Sequence, residues 1–249
     1  MSSTAQYANA RVAKNSKTLL LWGATQAGKT TLITSALMHQ ADSLPPLFDR
    51  TESRDALVEK GIMQGMHRLL EGRPIASTTS DTIDITLTID RGASLRLRDI
   101  RGGIVVDGTE FKRWAHEVDG ILFIVECGGP RHAQQMAAVN SLLSLVSKDQ
   151  VKIGLAITKC ERILCPSDSA WNAEFECWRQ PGFQELWRPF ESTLKAFGDA
   201  VWPVSAFGYD EDRPACVLTE FGRLLPYGVR PKNVCLPLRW FLREFGLSC

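Results

Sequence analysis

The chain has 249 residues, long enough for one large α/β domain with a well-buried core, and its 29 Lys and Arg against 28 Asp and Glu leave a formal net charge of +1. That balance excludes both the basic excess of a nucleic-acid-binding surface and an acidic solvating tail. No apolar run approaches a membrane span, because the longest, Ile121 to Val125, is strand-sized. Residues 1–16 read as a flexible polar arm without the apolar centre of a secretion signal, so the expected location is the cytoplasm. Seven cysteines, an odd number with no paired C-x-x-C spacing, read as reduced thiols rather than a zinc site or a disulfide framework.

In chain order, Leu19 to Trp22 predicts a buried strand, and Lys29 to Met38 predicts a helix. Between them lies Gly23-Ala24-Thr25-Gln26-Ala27-Gly28-Lys29-Thr30, a complete G-x-x-x-x-G-K-[ST] loop. The glycines let backbone N–H groups turn inward around a phosphate at the positive end of the following helix. Lys29 would reach the β and γ oxygens, the hydroxyl of Thr30 would ligate Mg²⁺, and Thr31 continues the loop into the helix. Strand before and helix after make a nucleoside triphosphate with magnesium the expected ligand.

Val58, Ile62, Met66 and Leu69 fall at helical spacing, with Gly72 and Pro74 as the stop. Ile83, Ile85, Leu87 and Ile89 alternate with polar residues and predict a half-exposed strand. Asp90-Arg91-Gly92 is turn-like, and Leu95 and Leu97 begin a partner strand running into Asp99. Such a hairpin would put an antiparallel edge on an otherwise parallel sheet. Asp119 to Glu126 predicts a strand, Arg131 to Ser147 a helix, Val151 to Thr158 a strand, Ala200 to Val204 the last strand, and Leu238 to Phe245 the closing helix. That alternation is the signature of a three-layer parallel sheet with crossover helices.

Asp99-Ile100-Arg101-Gly102 ends its strand at the edge where α/β sheets bind ligands. There an aspartate can hold a magnesium-bound water, and Gly102 can present its N–H to a γ-phosphate without a side chain in the way. Thr158-Lys159-Cys160-Glu161 ends a later strand, and Ser205-Ala206 ends the last.

With these segments in this order, the chain resembles the P-loop GTPases of the translation-factor-related (TRAFAC) class, with a Ras-like G domain. The resemblance implies a single three-layer G domain over residues 17–249, mostly parallel with one antiparallel edge strand, carrying insertions around 162–189 and 209–236. It also implies GTP or GDP as ligand and Mg²⁺ as cofactor. Lys159 would lie along the purine ring, with Thr158 bracing the site. Glu161 stands where the family has an aspartate that accepts from guanine N1 and N2, one methylene longer here. Ser205 and Ala206 would meet the guanine O6 edge through backbone. Among Thr78, Thr79 and Thr82, Thr79 is assigned to the switch position that completes the magnesium shell.

Gly103 stands where many members of the class place a water-orienting glutamine. Slow hydrolysis, a group supplied by a protein partner, or a potassium ion touched by Gln26 are the readings that follow. The Trp-rich insertion, with Trp171, Trp178 and Trp187 beside Phe175 and Phe183, offers either local packing or a partner surface. The Pro231 to Trp240 segment is weakly similar to bacterial double-GTPase conflict-system domains. A GTPase switch acting through protein partners is the expected function. An ATPase and a non-hydrolysing, nucleotide-stabilised scaffold are the alternatives.

Overall fold

A computed structural model describes residues 16–39, 50–51, 64–65, 67–68, 82–89, 93–100, 108–147, 149–171, 177–210, 213–214 and 230–247. The sheet strands are β1 (Ser16–Trp22), β2 (Arg50–Thr51), β3 (Thr82–Thr88), β4 (Ser94–Ile100), β5 (Gly120–Glu126), β6 (Lys152–Thr158) and β7 (Val201–Pro203). They form one seven-stranded sheet in the order β2-β3-β4-β1-β5-β6-β7. From β4 to β7 every neighbouring pair is parallel, whereas β3 runs antiparallel to both β2 and β4.

The central strands are apolar without alternation because both of their faces are covered. All seven residues of β5 are buried. On one face, Leu19, Leu21, Leu122, Ile124 and Ala156 pack against α1 (Lys29–His39) and the C-terminal helix α6 (Leu236–Glu244). On the other, Leu20, Phe123, Val125, Leu155 and Ile157 pack against α2 (Gly108–His116), α3 (His132–Leu143), α4 (Pro181–Trp187) and α5 (Glu191–Lys195). The result is a helix–sheet–helix sandwich with a core on each side, as the strand and helix alternation predicts.

The expected strand pair is present as β3 and β4, with Thr88 opposite Ser94 and Ile83 opposite Asp99. Its buried face carries Ile85, Leu87, Leu95 and Leu97, while Asp84, Arg96 and Arg98 form ion pairs on the other face. One expectation needs correction. The antiparallel strand is not the edge of the sheet, since Arg50 and Thr51 add a short strand outside β3. The opposite edge is β7, where Pro203, which has no N–H to give a further neighbour, is tolerated.

In the Trp-rich insertion, read as either local packing or a partner surface, the described aromatics pack locally: Trp171, Trp178, Phe183 and Trp187 are buried and belong to the core on the α3 side. They extend the core under a segment of short helical turns, Ser169–Trp171, Cys177–Arg179 and Arg188–Phe190. Phe175 lies outside the described residues, as do residues 1–15, the helix expected around Val58 to Leu69 apart from residues 64–65 and 67–68, the turn Asp90-Arg91-Gly92, and most of 209–236. Within that last segment, β8 (Tyr209–Asp210) pairs with β9 (Arg213–Pro214) in a small antiparallel ladder. Among the described residues, no helix is long and apolar enough to cross a membrane.

Candidate functional site

The Gly23–Thr30 loop joins β1 to α1 at the C-terminal edge of the parallel strands, the edge where such sheets place ligands. Its start is pressed against β5. A Cβ on Gly23 would lie 2.5 Å from the carbonyl oxygen of Ile124, so only glycine lets the loop leave the sheet here. Gly28 has φ +88°, the left-handed backbone that glycine alone adopts at no steric cost. Gln26 also has a positive φ, 69°, and is exposed. Ala27 is buried and donates its N–H to the carbonyl of Ala24 at 3.1 Å, closing the turn.

Lys29 is buried, and its ammonium donates to the carbonyl of Gly23 at 2.7 Å and approaches that of Ala24 at 3.5 Å. Burial pulls the Lys29 pKa below its ordinary value, and the nearby Asp99 charge pushes the other way. A buried cation held by carbonyls of its own loop is a group that could exchange those neutral partners for anionic oxygens.

Asp99 comes from β4, which runs beside β1 with Asp99 opposite Leu21. Thr30 Oγ1 donates to its Oδ2 at 3.5 Å, while its Oδ1 is buried with no hydrogen-bond partner. Burial pushes its pKa up to about 6, against the opposing pull of Lys29 and the Thr30 hydroxyl. A buried carboxylate with an orphaned oxygen, beside a hydroxyl, is the donor set that a hard divalent cation would satisfy.

The turn after β6 locks onto this loop. Thr158 Oγ1 lies 2.6 Å from the carbonyl of Ala27 and 3.1 Å from that of Val125, so one buried hydroxyl ties β6 to both β5 and the loop. Lys159 follows in the left-handed region, with φ 57°, and its ammonium donates to Glu126 Oε2 at 2.9 Å. Glu161 sits in the 3-10 turn Cys160–Arg162 and is only 1% exposed.

Ser205 is buried, and its N–H and C=O both pair with the backbone of Lys232, at 3.0 and 2.8 Å. Its hydroxyl accepts from the N–H of Gly208 at 2.7 Å. Ala206 is half-buried, and its carbonyl accepts from the Ser35 hydroxyl of α1 at 3.3 Å. Of the two, Ala206 is therefore the one placed to offer backbone to a ligand. Tyr209 donates its hydroxyl to the Leu164 carbonyl, and Lys232 lies 5.6 Å from the Trp171 ring centre, so the C-terminal segment is stitched to the insertion beside this loop.

Gly23, Ala24, Thr25, Gln26, Ala27, Gly28, Lys29, Thr30, Thr31, Asp99, Thr158, Lys159, Glu161, Ser205 and Ala206 thus all fall on the loop, on the first turn of α1, or at and just after the ends of the strands around it. Gly102, Thr78 and Thr79 lie outside the described residues. Thr82 is the first residue of β3, opposite Ile100.

Three residues escaped the sequence reading. Glu126, His132 and Gln135 form a buried cluster at the end of β5 and the first turn of α3. Gln135 Oε1 accepts the Glu126 N–H at 2.8 Å, and His132 Nδ1 lies 3.0 Å from the Glu126 carbonyl. Burial lowers the pKa of His132, whose ring also stands edge-on to Trp187 at 4.4 Å. The available signal was an acidic residue closing an otherwise apolar central strand at its C-terminal end.

Compared with known proteins, the chain matches no family model and no curated sequence.

Proposed function

We propose that the protein is a GTP-binding P-loop protein with a G-domain architecture, a slow or partner-stimulated GTPase that works as a molecular switch through protein partners. Support comes chiefly from one arrangement: a contiguous phosphate loop leads β1 into α1, Lys29 is buried within it, and Asp99 arrives from the neighbouring strand 3.5 Å from Thr30.

Thr30 and Asp99 would hold Mg²⁺, and Thr79, in the role the family resemblance implies, would complete its shell. Bound there, the ion would neutralise charge on the β- and γ-phosphates. Lys29 would neutralise the same oxygens from the other side, and the backbone N–H groups of Ala24 to Thr30 would wrap the β-phosphate. Lys159 would face the purine, and Ala206 would offer its N–H to the base edge. Gly103, in place of a water-orienting glutamine, favours slow turnover. Potassium at Gln26 or an outside group from a partner are the routes to faster hydrolysis.

A second reading is favoured by one observation. Glu161 is 1% exposed, so its carboxylate presents almost no surface to which guanine N1 and N2 could donate. A nucleoside triphosphate site without guanine preference, the ATPase alternative included, follows if it stays there. Displacement of a fluorescent GDP analogue by GTP and by ATP, with Mg²⁺ present, separates the two. GTP should displace it at concentrations at least about a hundredfold lower than ATP, because a site built to pair a donor rejects ligands lacking it. Equal displacement would replace the GTPase reading with the unselective one.

A further inference from the structure

We infer that Glu126 is a positioning residue for nucleotide binding: its buried carboxylate fixes the Lys159 side chain in the place where a base would stack, and so sets affinity for the nucleoside half of the ligand. The inference rests on the nucleotide-binding reading above and names a residue which that reading does not contain.

Glu126 ends β5, the strand between the phosphate-loop strand and the strand that delivers Thr158 and Lys159. Its residue is 5% exposed, and a carboxylate there loses its hydration and must be held by protein groups. The holding is elaborate. The backbone N–H is fixed by Gln135, the carbonyl by His132, and the carboxylate by the Lys159 ammonium. Space is also cleared for it, since a Cβ on Gly129 would lie 2.2 Å from Glu126 Oε1. Gly129 in turn accepts the His132 N–H at 3.0 Å, so the segment after β5 is folded around this one side chain.

Lys159 is a long flexible side chain that is partly exposed, while the carboxylate side chain it meets is buried. Left alone, it would sample many rotamers and lose their entropy on packing against a base. The 2.9 Å ion pair holds it to one arrangement before the ligand arrives. Thr158, the adjacent residue, is bonded to the Ala27 carbonyl, so the same turn is anchored to the phosphate loop independently of Glu126. Removing the carboxylate should therefore loosen the base side and leave the phosphate side in place.

The test compares GDP with pyrophosphate, each with Mg²⁺, by calorimetry on the full chain. Glu126→Gln, which keeps the volume and the backbone bonds, should weaken GDP about tenfold and leave pyrophosphate within about twofold. Glu126→Asp retains the charge and should recover part of the loss. In a Lys159→Met background, Glu126→Gln should have no further effect on GDP, because the carboxylate acts through that lysine. Gly129→Ala, which crowds the carboxylate without removing it, should reproduce the selective loss. Unchanged GDP affinity in Glu126→Gln, equal losses for both ligands, or a full additional loss in the Lys159→Met background would each overturn the inference. A wild-type chain that binds neither ligand would instead remove the nucleotide reading beneath it.

Discussion

The two halves of the proposed nucleotide site are built in opposite ways. The phosphate half is a single stretch of backbone, Gly23 to Thr30, whose shape is set by a glycine with φ +88° and another that presses on the Ile124 carbonyl. The proposed base half is assembled from groups far apart in the chain, side chains and backbone alike: Glu126 from β5, Thr158 to Glu161 at and after the end of β6, Ser205 and Ala206 after β7, and Lys232 near the C-terminal helix. Backbone recognition of phosphate is compact and sequence-tolerant between motif positions. Recognition beside the base depends on tertiary packing, so the aromatic insertion beneath it matters to its geometry.

The largest effect should separate the halves. Trp187 is fully buried between His132 and Phe183, and Trp187→Ala leaves a large cavity in the core under the base half. Urea unfolding should show a loss of about 3–5 kcal/mol. Pyrophosphate binding by the folded fraction should persist while GDP binding weakens. Equal weakening of both would mean that the insertion supports the whole site rather than one side of it.

A somewhat smaller effect belongs to Asp99 in the phosphate half. Its pKa rises from 3.8 to about 6 on folding, so the folded chain holds this proton more tightly than the unfolded chain. The associated stability is fully present below about pH 4 and is lost as pH rises through about 6, a change of about 3 kcal/mol. Asp99→Asn should remove that slope from the nucleotide-free protein and make it more stable at neutral pH. The same variant should lose the Mg²⁺ dependence of nucleotide binding, seen by chelating the metal with EDTA. Unfolding curves from pH 4 to 7, with and without the substitution, check the sign; a wild-type stability that rises across this window from this residue would contradict it.

The smallest of the three concerns the joint between the halves. Thr158→Val removes the hydroxyl that meets the Ala27 and Val125 carbonyls and keeps the shape. A loss of about 1–3 kcal/mol in unfolding is expected, from leaving buried carbonyls unsatisfied. Both GDP and pyrophosphate should bind more weakly, in contrast to Glu126→Gln. A selective loss of GDP alone would place Thr158 with the base half only.

The same contrast explains what could be read from residues alone. The apolar runs of β1, β5 and β6 and the alternation of β3 and β4 carry the sheet, because burial on two faces or one leaves a direct pattern. The Gly23–Thr30 motif is legible because its residues are contiguous. Arg50–Thr51 escaped because two residues carry no periodicity. The aromatic insertion was ambiguous because tryptophan serves cores and interfaces alike, and only packing against α3 and α4 decides between them. Glu126 was invisible as a site residue because its meaning lies in Lys159, Gln135 and Gly129, none of which a local pattern links to it. Ser205 kept its predicted place, but its backbone is committed to Lys232, a pairing across the sequence that no motif encodes.

The central claim is that residues 23–30 bind the phosphates of a nucleotide through backbone N–H groups and Lys29. Calorimetric titration of Mg·GDP into the wild-type chain and into Lys29→Ala tests it most directly. The account predicts saturable binding to the wild type at one ligand per chain, and affinity reduced about a hundredfold or more in the variant, since a buried charge-assisted contact to phosphate is lost. No heat with the wild type, or equal affinity in the two proteins, would contradict it.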